Sequence, residues 1–246
     1  MFLFQHTPDS EPGSLSYLLY CVGQGKAIAV DVHTSEVDLY LEKAAQKGVT
    51  ISHVVDTHVH ADHFTGGLEL AKRAGGEYCL FKDSPAQCDF TPLADGQVIK
   101  AGNVHAQVLH TPGHTEDSIC LLVTDKSRCD EPWFLVSGHT LFVGSVGRPD
   151  LRGREQEMVE KLYDSIHNKL LVLPDYMEIL PGAQAGSVCG AGISGKPVST
   201  IGFEKRHNPT LSMSREDFKK TVLGAMLPYP EGMDKIIAFN ANPAFK

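Results

Sequence analysis

Ile51-Ser52-His53-Val54-Val55-Asp56-Thr57-His58-Val59-His60-Ala61-Asp62-His63 joins a short, mostly apolar run to a dense set of polar side chains. Ile51 to Val55 predicts a buried strand, because a brief apolar, β-branched stretch fits a sheet interior. His58, His60, Asp62 and His63 then fall within six positions directly after it. A strand end is where a rigid scaffold can aim several side chains at one point. Neutral imidazole and carboxylate suit zinc, iron and manganese. The competing reading is a histidine-rich surface loop; the H-x-H-x-D-H spacing after a hydrophobic strand argues for a metal instead.

Working outward, residues 15–21 and 26–32 read as two strands separated by the turn Gly23-Gln24-Gly25,. Ser35 is placed to cap a helix whose apolar positions are Val37, Leu41 and Ala44 and which Gly48 stops,. A second helix is expected over 64–74, ended by Gly75-Gly76. Strands are predicted near 77–81, 98–100, 106–109, 118–124 and 133–136. An amphipathic helix is predicted over 154–167, and a last one over 215–223 capped by Ser214. The segment after Pro181 is rich in glycine and poorly periodic. Strands alternating with helices imply α/β layers, and hairpin-like turns imply a mixed sheet. A single domain over 1–246 is expected, with 198–246 as a C-terminal extension packed on it.

Two further histidines share the strand-end placement. Thr111-Pro112-Gly113-His114 is a sharp turn that would aim its histidine inward, although a surface turn with a solvated histidine has the same signature. His139, in Ser137-Gly138-His139-Thr140-Leu141-Phe142, follows the apolar run Trp133-Phe134-Leu135-Val136; the alternative is a core histidine bonded to backbone. The 246 residues include 12 histidines and 6 cysteines, with a formal net charge of -8. Such a length buries roughly three quarters of the unfolded surface, so folding requires neither disulfide nor metal. The acidic balance and the lack of a basic stripe argue against nucleic acid. No run approaches a membrane span. The scattered cysteines and the lack of a signal-like start predict a reducing, cytoplasmic setting.

Together the stretches THVHADH (57–63), HTPGHTEDS (110–118), GHTLFVGSVGRPDL (138–151) and AGSVCGAGISGKPVSTIGFEKRHNP (185–209) resemble the metallo-β-lactamase superfamily, and most of all its persulfide dioxygenase branch. The resemblance implies a four-layer αββα sandwich with mixed sheets. It implies one Fe(II) per chain held by His58, His114 and His139, with His60, Asp62 and His63 as polar neighbours or alternative ligands. The implied reaction oxidises a low-molecular-weight persulfide, such as that of glutathione, with O2 to sulfite and thiol. A homodimer is also implied, and no fused rhodanese domain is expected at this length.

Two positions depart from the family pattern, which has Asp at 139 and His at 183; this chain has His139 and Ala183. In the zinc hydrolases of the superfamily that carboxylate bridges two ions, which sit ~3.5–4 Å apart. An imidazole has its nitrogens on opposite sides of a ring and cannot clamp two ions so closely. A binuclear centre is therefore disfavoured, and a mononuclear site of three neutral imidazoles survives. Losing a carboxylate leaves such a site one unit more positive, which favours an anionic sulfur ligand and makes iron(II) harder to oxidise. The alternatives are a zinc thioester hydrolase of the glyoxalase II type, using His58, His60 and His114 beside His139, and a non-catalytic metal- or sulfur-binding relative.

Around this centre, Arg148 is the candidate for a substrate carboxylate, against a structural Arg148–Asp150 pair. Asp56 and His110 are candidates for orienting a ligand histidine. Lys205 and Arg206 read as a solvated surface pair more than an anion patch, and Cys189 as a buried inert thiol more than a pocket residue.

Overall fold

A computed structural model describes residues 1–11, 13–149, 152–226, 229 and 232–242. The first sheet contains β1 (Phe2–His6), β2 (Ser16–Cys21), β3 (Lys26–Val30), β4 (Thr50–Val55), β5 (Glu77–Phe81) and β6 (Thr91–Leu93), in that spatial order. Helix α1 (Val37–Lys47) connects β3 to β4, and α2 (Gly67–Ala74) connects β4 to β5. Such crossovers allow parallel pairing, and β3 to β6 are parallel while β1 and β2 join as antiparallel neighbours,. The second sheet contains β7 (Val98–Ala101), β8 (Val104–His110), β9 (Ile119–Asp125), β10 (Phe134–Gly138), β11 (Glu178–Pro181) and β12 (Ser199–Thr200). It is antiparallel except where α3 (Glu155–Ser165) carries the chain from β10 to a parallel β11. Three helices follow: α4 (Ile201–His207), α5 (Arg215–Gly224) and α6 (Met233–Ala241).

The sequence pattern sets the layers. Every residue of β2 is buried. Its side chains alternate, so Tyr17, Leu19 and Cys21 face the space between the sheets while Leu18 and Tyr20 face the helix side with α1 and α2,. In β9, Ile119, Leu121 and Val123 join the inter-sheet core, and Cys120 and Leu122 pack toward α3 and α5. Both strands are covered on two faces, which explains their continuous apolar runs. The result is the expected αββα sandwich. Truncating Leu19 or Leu121 to alanine would cost about 2–5 kcal/mol, the range for a buried leucine.

The local expectations need several corrections. Ser35 does not cap α1: residues Thr34–Glu36 form a 3-10 turn, and the helix starts after Glu36 without a side-chain cap. The second helix begins at Gly67, because residues 64–66 bond back to the segment after β3, with Thr34 N donating to Phe64 O at 3.0 Å and Gly66 N to Val32 O at 2.7 Å. The helix expected over 154–167 is α-helical from Glu155 to Ser165 and ends in a π-helical turn, Ile166–Leu170. Ser214 does cap α5, accepting from Asp217 N. Among the described residues, no helix is long and apolar enough to cross a membrane.

Candidate metal centre

The ligand-type residues leave one edge of the sandwich, each just beyond a strand: His58 to His63 after β4, His114 after β8 and His139 after β10. The chain must turn sharply at each place. Gly113 (φ 150°) lies so close to α3 that a Cβ there would meet Leu162 Cα at 2.3 Å, so this glycine lets the turn pack down and carry His114 inward. All five histidines are buried, between 0% and 4% exposed.

The side chains form two adjoining groups, each with donor atoms within 4.8 Å of one another: His58 with His114 and His139, and His60 with Asp62 and His63. Hydrogen bonding fixes the tautomers of the first group. Thr57 Oγ1 donates its one proton to Asp31 Oδ2 at 2.9 Å, so it accepts from His58 Nδ1 at 3.0 Å. That leaves His58 Nε2 with a lone pair, and this buried atom has no hydrogen-bond partner among the described residues. His114 Nδ1 donates to the Arg148 carbonyl at 2.7 Å, which turns the Nε2 lone pair inward, 3.3 Å from His139 Nδ1. Burial, reinforced by neighbouring histidines, pushes the pKa of His58 well below the usual imidazole range; burial also brings His139 to about 4 against the pull of Asp62. Neutral imidazoles converging on a dry point, one nitrogen orphaned, fit a metal ion, since buried polar atoms are otherwise paired.

The second group carries charge. His60 Nε2 lies 3.1 Å from Asp31 Oδ1, and His63 Nδ1 lies 3.1 Å from Asp62 Oδ1. Burial disfavours a charged His60, but the carboxylates around it, Asp31 foremost with Asp62 and Asp56, together outweigh burial and raise the pKa well above the ordinary value. Burial likewise opposes a charged Asp62, yet His63 and His139 hold its pKa well below the carboxylate range. Among the described residues, His60 Nδ1, Asp62 Oδ2 and His63 Nε2 have no hydrogen-bond partner.

The same fold recurs in known proteins. No protein-family model matches the chain. A metallo-β-lactamase from Staphylococcus aureus superposes with a TM-score of 0.91 and 30% identity, over 99% of this chain and 73% of that one. ETHE1 from Myxococcus xanthus superposes with a TM-score of 0.85 and 32% identity, over 98% of both chains. Bovine mitochondrial persulfide dioxygenase ETHE1 is 30% identical, over 94% of this chain and 85% of its own length. The chain belongs to the ETHE1-type branch of the metallo-β-lactamase superfamily. Hydroxyacylglutathione hydrolases align as well, for instance a probable one from Schizosaccharomyces pombe at 27% identity.

In this ETHE1-type chain the space for His139 comes from Gly182. A Cβ at 182 would stand 2.8 Å from His139 Cδ2, so the ring occupies room that any side chain there would take. Ala183 is fully buried against Phe142 and Cys189. Cys189 is buried as expected, yet it does reach the centre, its sulfur lying within 4.8 Å of donor atoms of Asp62 and His139.

Several orienting roles fall elsewhere than expected. Asp56 binds Thr65 Oγ1 at 2.5 Å and Tyr78 OH at 2.8 Å, not a ligand histidine; the carboxylate that holds one is Asp31. Asp31 also accepts from Thr57 N at 2.7 Å and has φ 54°, a conformation that costs a non-glycine residue energy and persists only where its surroundings hold it,. His110 stacks on Phe81 and bonds Glu116 O, away from the ligands. Arg148 is buried, with its guanidinium 3.8 Å from Met233 Sδ and over the Tyr229 ring at 5.2 Å. Asp150, its partner in the structural-pair reading, lies outside the described residues. Lys205 and Arg206 pair with Asp175 at the surface. Sequence reasoning passed over His33, whose ring stacks on His63 at 3.6 Å, and Asn240, which bonds the ligand loop from the far end of the chain. Neither lies in a motif; for His33, proximity to the end of β3 is the one available signal.

Proposed function

We propose that the chain is a mononuclear non-haem iron enzyme that oxidises a low-molecular-weight persulfide with O2. The observation that supports this reading most directly is the grouping of His58 with His114 and His139, while His60 belongs with Asp62 and His63. A hydrolase-type first site would instead need His58, His60 and His114 together. In the proposed reaction persulfide, dioxygen and water give thiol, sulfite and two protons.

His58, His114 and His139 are the residues that would hold the ion. Iron(II) there supplies a redox centre for oxygen transfer to sulfur. The three neutral imidazoles leave the site positive, so a persulfide anion is favoured over a neutral thiol. Asp62 Oδ2, buried and without a hydrogen-bond partner among the described residues, is an anionic acceptor beside the centre for a hydrogen bond from substrate. A cavity of about 280 Å³ lined by Ser14, Asp62, Ser187, Met233 and Ile236 offers room for the organic part of a small thiol. Arg148, at the edge of a second cavity of about 100 Å³, is the proposed partner for a substrate carboxylate,.

Elemental analysis of protein purified without added metal, followed by oxygen uptake with glutathione persulfide, tests the proposal. About one iron per chain and persulfide-dependent uptake are expected, with sulfite as product. Zinc alone, with thioester hydrolysis and no uptake, overturns it. That second outcome is the reading favoured by the His60, Asp62 and His63 group and by the hydrolase relatives.

A further inference from the structure

Asn240 lies near the end of α6, 177 and 180 positions from the histidines it touches, and is 2% exposed. Its carboxamide spends both kinds of hydrogen-bonding atom on the backbone of the ligand loop. Nδ2 donates to His60 O at 2.8 Å and His63 O at 2.7 Å, and Oδ1 accepts from Thr65 N at 2.9 Å. Residues 58–63 lie in no helix or strand, so this loop has no ladder or helix of its own to hold its carbonyls,. A planar amide supplies two donors and an acceptor at once; a carboxylate of the same shape supplies acceptors only.

The rest of α6 is fastened to the same region. Gln87 N donates to Ala241 O at 2.6 Å, Phe239 meets Phe64 edge-to-face at 5.1 Å, and Arg152 pairs with Asp234 at 3.1 Å. Met233 and Ile236 wall the cavity that includes Asp62. The helix therefore both covers the centre and grips the loop that carries three of its histidines.

We infer that Asn240 is a positioning residue that clamps the ligand loop, making the C-terminal helix a working part of the metal centre. The inference rests on the metal-binding reading proposed above. Its test compares full-length Asn240→Ala and Asn240→Asp with Asn208→Ala, which removes a buried asparagine bonded to Ser145 O and Glu204 instead of the loop. Two readouts are taken: the rate of metal loss to a chelator, and hydrogen exchange at the Thr65 amide.

Asn240→Ala should lose metal about tenfold faster, the lower range for removing an outer partner of a metal site. Its Thr65 amide should also exchange about tenfold faster, as expected when a protecting acceptor is lost. Asn240→Asp should lose metal as fast while keeping Thr65 protected, because it retains the acceptor and drops both donors. Asn208→Ala should change neither readout. Metal retention by Asn240→Ala equal to wild type, or equal loss from Asn208→Ala, overturns the inference. A wild-type chain that binds no metal overturns the proposed function, and Thr65 exchange in the same variants then decides the clamp by itself.

Discussion

His58, His114 and His139 are held by a hydroxyl, a backbone carbonyl and another imidazole, whereas His60 and His63, two and five positions beyond His58 on the same loop, are held by carboxylates. The first arrangement gathers neutral rings and turns the lone pairs of His58 Nε2 and His114 Nε2 inward. The second sets imidazole against carboxylate, with His60 pushed toward its protonated form by Asp31. Identical residue types thus acquire different chemistry from what their other nitrogen touches. In the proposed reading one group takes up a cation and the other sets the field beside it.

The largest expected effect breaks the comparison outright. His114→Ala should abolish metal loading and lower turnover by more than about 100-fold, beyond the 10–100-fold typical of outer partners. His63→Ala should cost less than about tenfold and leave the metal-to-protein ratio unchanged. Equal metal loss from both variants, measured by elemental analysis, would show that the two groups act as one site.

The next test converts one arrangement into the other. His139→Asp supplies a carboxylate able to span two ions, but Ala183 still leaves the second position short of a ligand. The single variant should therefore keep about one ion, and His139→Asp with Ala183→His should take about two when reconstituted with zinc. A double variant that stays at one ion would mean that Asp31 and Asp62, and not the missing ligand, set the stoichiometry.

Asp31 links the groups, since it holds His60 directly and His58 through Thr57. Asp31→Asn keeps the shape and removes the charge. Metal affinity should fall roughly tenfold, read from competition with a chelator, and His63→Ala should not reproduce that loss.

The histidines of the candidate centre were legible because each lies in a local signal: a spaced motif after a strand, a Pro-Gly turn, or an apolar run ending in Gly138-His139. The strands of the sandwich were legible where burial on two faces made their apolar runs continuous, as in β2 and β9. Edge elements were not. β1 is partly exposed and β6 is a three-residue strand containing Pro92, so neither carries the pattern of a core strand. The supports were also hidden. Asp31, His33 and Asn240 are single polar residues brought to the centre by topology, and nothing at their own positions in the chain announces a partner 26 to 180 residues away. Asp56 attracted the orienting role because it adjoins the motif, yet β4 turns its side chain toward Tyr78 on β5.

The smallest effect concerns the room for His139 itself. Gly182→Ala places a methyl where the structure leaves 2.8 Å to His139 Cδ2, so the ring must shift or the turn must open. Overpacking at this scale costs about 1 kcal/mol at the low end. Expressed through the displaced ligand, that is about a fivefold loss of metal affinity. The same alanine in a His139→Asp background should cost less, because the shorter carboxylate vacates the closest contact and leaves only the Gly138 backbone at 3.2 Å. The coupling between the two substitutions, obtained as a double-mutant cycle on metal affinity, isolates the steric term from any change in ligand type. A Gly182→Ala penalty that persists undiminished with Asp at 139 would place the effect in the Gly138 backbone instead of the ring, and would remove Gly182 from the explanation of how this chain accommodates a third imidazole.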